Sequence, residues 1–237
     1  MNFSKRSYQL ELLDGDDTSF DEIKLNMQEL DTINSLLGGH AITIAGLKKI
    51  LPHRLPKRPI RIAEIGCGGG DNLIAIDRWS KKRNIRVEFI GIDIKQECID
   101  FARTKQDEFN APVEWMISDY KKIHWNENRP DVIFSSLFCH HFTETELAWM
   151  MEWMKNECEL GFFINDLHRH FLAYHSIRLL TRAFSKSRLV KNDAPISVTR
   201  GFSRIDWSNI LAAAGLEDYE LHWKWAFRWL LTYRKHQ

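Results

Sequence analysis

The chain has 237 residues, 44% hydrophobic and 27% charged, enough to bury a full core without disulfide staples. Its 33 Lys and Arg stand against 32 Asp and Glu, so no global field of either sign advertises nucleic acid. Cys67, Cys98, Cys139 and Cys158 form no C-x-x-C pair and read as reduced thiols, not a zinc site or a disulfide framework. With no signal peptide or spanning helix read from the sequence, a cytoplasmic chain without a bound metal is expected.

The first sixty residues lie outside any sheet pattern. Asp14–Asp17 reads as a turn. Phe20–Leu37 carries a helical stripe of Phe20, Ile23, Met27, Leu30, Ile33, Leu36 and Leu37, ended by Gly38-Gly39. A second helix runs from about Ile42 to Leu51, and Pro52, Pro56 and Pro59 bracket a linker. Asn34, Gly38, Gly39 and His40 are positions where a glycine turn lets backbone approach a ligand.

The most informative stretch follows, Arg61-Ile-Ala-Glu-Ile-Gly-Cys-Gly-Gly-Gly-Asp-Asn72. An apolar strand ends in an acid, then come alternate glycines and a helix start whose N–H groups point into the same crevice. A dinucleotide fingerprint needs a small residue at position 71, where Asp71 would face the pyrophosphate. A P-loop needs Gly-Lys-Ser/Thr, and no Lys follows Gly70. S-adenosylmethionine has no phosphate, and acids at Glu64 and Asp71 suit its sulfonium and ammonium.

Val87–Asp93 reads as a second strand ending in an acid about 20 residues on, the spacing at which a carboxylate reaches a ribose diol. A helix over Ile94–Arg103 follows. Val113–Asp119, Pro130–Ser136 and Gly161–Asp166 read as three more strands. Strands alternating with helices imply a doubly wound parallel sheet, which binds ligands beyond the carboxyl ends of its strands. Glu64, Asp93, Asp119, Ser135 and Asp166 fall at such ends.

Glu64, Gly66, Gly68 and Gly70 match acid-x-Gly-x-Gly-x-Gly, and the chain thereby resembles the class I S-adenosylmethionine-dependent methyltransferases. That resemblance implies a Rossmann-like, mainly parallel seven-stranded sheet with a C-terminal antiparallel hairpin. It implies an adenine-side role for Asp119, with Tyr120 beside it. The cofactor-binding set is then Glu64, Gly66, Cys67, Gly68, Gly70, Asp71, Asn72, Asp93, Ile94, Asp119, Tyr120, Ser135 and Ser136. Glu11–Asp14 and Asn34–Gly39 add a likeness to a bacterial branch that serves polyketide- or quinone-type small molecules.

Ser135-Ser-Leu-Phe-Cys-His-His-Phe142 is similar to the Ser-x-x-x-Leu-His-His pattern of small-molecule methyltransferases related to quinone methylases. It lacks the Pro-Pro motif of nucleic-acid and glutamine N-methyltransferases. An imidazole suits proton removal from a phenol or enol near neutral pH, so His141 and His140 are the catalytic candidates. Structural roles, one packed under the sheet and one capping the helix begun by Thr143–Glu146, are the alternative.

From Asn165 to Arg200 the chain holds some thirty residues where the resembled fold needs few. No acid lies between Asp166 and Asp193, while His, Arg and Lys crowd the segment. Ala173, Ile177, Leu180 and Phe184 mark a basic amphipathic helix. It reads as a lid over the acceptor or a membrane-surface contact, or as a solvated positive face. His168, Tyr174 and Arg200 are the substrate-side candidates, and Arg200 alternatively pairs with Asp166 or Asp206. Ser203 caps a helix ending at Gly215, and Tyr219–Trp223 and Phe227–Tyr233 read as the hairpin, with Trp223, Trp225 and Trp229 as core or pocket lining.

The whole reads as one domain over 1–237, with a helical cap (1–58), a cofactor core (59–166), a lid-like insert (167–202) and a closing helix and hairpin (203–237). The expected activity is in-line O-methylation of a small hydrophobic or anionic acceptor by a monomer or homodimer, with no nucleic-acid partner. An RNA or protein methyltransferase, a nicotinamide oxidoreductase and a binding-only descendant are the alternatives.

Overall fold

A computed structural model of the chain describes residues 2–15, 18–125 and 128–235. The predicted turn at Asp14–Asp17 lies partly outside them, at Asp16 and Asp17. The seven strands are β1 (Ile60–Ile65), β2 (Val87–Asp93), β3 (Val113–Ile117), β4 (Val132–Ser136), β5 (Gly161–Leu167), β6 (Tyr219–Lys224) and β7 (Arg228–Arg234). They form one sheet in the order β3-β2-β1-β4-β5-β7-β6. β7 runs antiparallel between β5 and β6, and the other neighbouring pairs are parallel. Strand order reverses between β1 and β4, which puts a ligand crevice above their carboxyl ends.

The eight helices are α1 (Phe20–Leu36), α2 (Gly39–Ile50), α3 (Asp71–Lys81), α4 (Gln96–Arg103), α5 (Glu144–Glu157), α6 (Phe171–Phe184), α7 (Arg188–Arg200) and α8 (Arg204–Ala213). Ser19, Thr143 and Ser203 open α1, α5 and α8 with reciprocal capping boxes, each closed by an acid three residues on. Apolar residues of β1, β4 and β5 alternate between two cores. One face packs Ile62, Phe134 and Phe163 against Leu47 and Ile50 of α2 and Leu73 of α3. The other packs Ile65, Ile133 and Phe162 against Leu147 and Met150 of α5 and Trp207 of α8.

Three elements depart from expectation. Gly38, at φ +77°, alone makes the break, and Gly39 is already the first residue of α2. The reason is contact, since Asn34 packs directly on the Gly39 α-carbon. The insert folds as two helices. Its tail becomes α7, which Ser187 caps and whose Ala194, Ser197 and Val198 border the cavity. The link between α6 and α7 is fastened to α1, where Glu29 accepts from the N–H groups of Lys186 and Ser187. Finally, Trp229 lies in the core and Trp225 borders the cavity as expected, while Trp223 is exposed and does neither.

The N-terminal segment is threaded through the fold. Arg169 Nε donates to the Phe3 carbonyl at 2.9 Å, and Ser7 N donates to the Thr199 carbonyl at 3.0 Å. Arg6 donates to the carbonyls of Arg200 and Phe142. Among the described residues no helix is long and apolar enough to cross a membrane.

Phe163 is fully buried, stacked on Phe134 at 4.8 Å and pressed against Gly46. Phe163→Ala is expected to cost about 3–5 kcal/mol, read as a lower urea midpoint.

Candidate functional site

The chain leaves β1 through a turn that only glycine makes without strain. Gly66 has φ +66°, and a Cβ there would meet the Phe138 ring at 2.2 Å. Gly70, at φ +75°, turns the backbone into α3. Asp93 at the end of β2 accepts from Gly68 N at 2.9 Å and from Lys95 N at 3.0 Å. It therefore braces the loop as well as bordering the crevice, a role the ribose-diol reading did not include.

Glu64 is 1% exposed, and burial pushes its carboxyl well above the ordinary range. Its Oε1 accepts from Asn72 Nδ2 at 2.9 Å, whereas Oε2 has no hydrogen-bond partner among the described residues. Asn72 is held in turn by Thr43 Oγ1 (3.2 Å) and His40 Nδ1 (3.1 Å), and His40 Nε2 by Asp31 (2.9 Å). The sequence reading flagged His40 but missed Asp31 and Thr43, which lie on different helices and become neighbours only on folding.

A cavity of about 660 Å³ opens from this loop. Asp93, Ile94 and Cys67 border it, as do Asp119, Tyr120 and Ser136. Two more buried polar atoms of its lining, Tyr120 Oη and Ser136 Oγ, also lack a protein partner. Buried polar groups left unpaired are costly, so three such atoms on one wall suit a polar ligand. α1 closes the loop side, its Met27 Sδ lying 3.1 Å from where a Cβ at Gly68 would stand. Beyond it the cavity is apolar, between Leu30 and Ile33 of α1, Leu37 just past its end, and Ala173, Ile177 and Leu180 of α6.

The far end is made by Glu11, Asp14, His140 and His141. His140 is 3% exposed and its Nδ1 lies 2.8 Å from Asp166 Oδ1. His141 is half-buried and its Nδ1 lies 2.9 Å from Asp14 Oδ1. Both Nε2 atoms turn toward Glu11, at 3.6 and 4.0 Å. Burial lifts the Glu11 carboxyl to about 6. Burial also pushes Asp14 and Asp166 upward, yet the histidine each one holds keeps it below its usual range. Glu11 and Asp14 were noticed only as part of a resemblance. Their signal was an acid at each end of an apolar pair.

Several expected residues stand elsewhere. Ser135 is fully buried, shares a hydrogen bond with Cys139 Sγ at 3.3 Å and does not line the cavity. Asp71 borders the cavity, but its charge is taken by Lys105. His168 receives Trp223 Nε1 at 3.1 Å, burial pulls it down to about 4, and it lies off the cavity. Tyr174 packs edge-on against Phe3. Asp206 belongs to Arg169 (2.8 Å). Arg200 pairs with Asp14 Oδ2 at 2.8 Å, not with Asp166, Asp206 or the cavity.

Arg200 also donates to the carbonyls of Gln9, His140 and His141. Arg200→Ala removes a buried guanidinium and strands its four acceptors, and is expected to cost about 3–5 kcal/mol in urea unfolding. Arg200→Lys is expected to recover little, because one ammonium cannot reach acceptors spread around a planar fork.

Residues 62–158 match the family described as a methyltransferase domain. No curated protein sequence matches the chain. The plantazolicin methyltransferase BpumL, solved with SAH, is 21% identical over 87% of this chain and 74% of its own, with a TM-score of 0.60. Human N-acetylserotonin methyltransferase, solved with SAM, is 15% identical over 92% of this chain and 57% of its own, with a TM-score of 0.65. Magnesium protoporphyrin IX methyltransferase from Synechocystis PCC 6803 is 12% identical over 97% and 90%, with a TM-score of 0.52. At these identities the likeness is one of fold, and it agrees with the sheet order found here. Residues 62–158 therefore carry a methyltransferase domain, set in a chain whose fold is that of the class I methyltransferases solved with SAM or SAH.

Proposed function

We propose that the chain methylates a hydroxyl oxygen of a small, largely apolar acceptor of phenol, quinol or polyketide type. The observation that carries this reading is the single cavity that runs from the glycine loop to the Glu11–His140–His141 cluster. A donor at one end and an acceptor hydroxyl at the other meet in line across it. The sulfonium methyl is already electrophilic, so alignment is the main task, and proximity is worth up to about 7–11 kcal/mol. The cluster stands where the hydroxyl loses its proton. The apolar walls of α1 and α6 suit the body of the acceptor. The solved neighbours named for plantazolicin, magnesium protoporphyrin IX and N-acetylserotonin lend support to a small-molecule acceptor.

On the donor side, Glu64 answers the ammonium and sulfonium, Asp93 the ribose, and Asp119 with Tyr120 the adenine edge. The outer face of α6 exposes Leu179 and Phe184 beside Arg182 and Lys186. That face suits an amphiphilic acceptor or an anionic lipid surface in a cytoplasmic setting.

Removing the Asp93 carboxylate takes away charge-assisted hydrogen bonds worth about 1.5–3 kcal/mol. Asp93→Ala is therefore expected to weaken S-adenosylmethionine binding about 10- to 100-fold by calorimetry, with circular dichroism unchanged. Unaltered affinity rejects its role. His141→Ala is expected to lower turnover at least about 100-fold while cofactor affinity holds. Equal turnover removes the cluster from the mechanism.

Glu64 gives a pH signature. Burial holds its proton to higher pH than an ordinary glutamate does, and a neighbouring cation favours the carboxylate. Donor binding is expected to release a proton and to tighten as pH rises through the Glu64 titration. Calorimetry in buffers of different ionisation enthalpy reads that release, and Glu64→Gln is expected to abolish it.

A further inference from the structure

The Glu11–His140–His141 cluster poses a physical problem that hydrogen bonding within the chain does not solve. His140 Nδ1 lies against the Asp166 carboxylate and His141 Nδ1 against the Asp14 carboxylate. Each Nδ1 is thus engaged by a carboxylate, and each Nε2 is the ring atom left to face Glu11. The two Nε2 atoms and the Glu11 carboxylate converge on one small volume at the cavity wall. The Nε2–oxygen separations of 3.6 and 4.0 Å exceed a hydrogen bond, and the three ligand atoms all lie within 4.8 Å of one another. Around a tetrahedral ion with bonds of about 2.0–2.1 Å, neighbouring ligand atoms stand roughly 3.4 Å apart.

We propose that Glu11, His140 and His141 bind one divalent transition-metal ion of the zinc class at the acceptor end of the cavity. Two imidazoles and one carboxylate suit such an ion, whereas magnesium and calcium call for oxygen ligands. Asp166 and Asp14 are the outer carboxylates that fix the tautomer and aim of metal-bound histidines. Glu11 is fixed from behind by Ser197 Oγ at 2.7 Å. The cations nearby have other partners. Arg200 makes its short pair with Asp14 at 2.8 Å and stands 4.0 Å from Glu11, and Arg6 is turned onto backbone carbonyls. The three protein ligands leave a fourth position, open to the cavity, for a water or an acceptor oxygen. This deepens the methyl-transfer reading and rests on it only for the acceptor. A hydroxyl at the open position ionises more readily, as zinc-bound water does, and its proton passes to solvent. The ligands come from residue 11 and residues 140–141, which is why no local spacing announced them.

The full chain, stripped with a chelator, is titrated with Co²⁺ by visible absorption and with Zn²⁺ by calorimetry. One equivalent of each is expected to bind, Co²⁺ with the intense bands of a tetrahedral site. Asp14→Asn is expected to weaken binding about 10- to 100-fold, and His141→Ala to abolish it. S-adenosylmethionine binding, measured on every variant, reports that the fold is intact. No binding of either metal at millimolar concentration, or equal binding in His141→Ala, overturns the proposal. Full methyl transfer by metal-free chain also overturns it and leaves the methyl-transfer reading standing. Loss of methyl transfer in His141→Ala without any metal binding strikes the metal and keeps the cluster.

Discussion

Arg200 donates to acceptors from two remote parts of the chain. Gln9 and Asp14 come from the N-terminal segment, and the carbonyls of His140 and His141 from the turn after β4. A guanidinium has five N–H donors in a rigid plane, so four acceptors placed around it are fixed relative to one another. That fixes the histidine pair against Glu11 and Asp14. It also anchors α7, whose last turn carries the arginine, across the cavity. A buried cation costs much to desolvate, and only this degree of pairing offsets it.

The donor end rests on a different constraint. Its acids stand at the carboxyl ends of parallel strands, where the sheet order reverses and the crevice is unavoidable. Under the proposed function a sulfonium nucleoside is favoured there over a phosphate. The Asp71 charge is spent on Lys105, so that reading leaves Glu64, whose Oε2 has no partner among the described residues, to face the donor's positive charge. The network from Asp31 through His40 and Asn72 to Glu64 ties this end to α1 and α2. The two helices thus also orient the acid at the end of β1.

The two ends differ in how legible they were. Gly66, Gly68, Asp93 and Asp119 sit within one repeating strand–turn–helix grammar, so local pattern was enough to bring them to the cavity, whereas Gly70 turns the chain into α3 and the lining glycine beside it is Gly69. Glu11 and Asp14 act on His140 and His141 across more than a hundred residues, and no periodicity encodes that encounter. Arg200 misled for the same reason. Its basic neighbourhood suggested a ligand anion, whereas its partners are Asp14, far away in sequence, and three backbone carbonyls, which are invisible in composition. His168 and Tyr174 were drawn in by proximity along the chain and were spent on Trp223 and Phe3. The insert's hydrophobic stripe was clear, but its second helix was hidden by Pro195, which sits inside α7.

The threading of residues 3–14 through the insert makes the histidine cluster depend on contacts that are remote in sequence. Strands β1 to β4 lie within residues 60–136, whereas Ser7, Gln9, Leu12 and Leu13 bond to Thr199, Arg200 and Asp193 of α7. Loosening that clasp would scatter Glu11 and Asp14 from the imidazoles and leave the sheet standing.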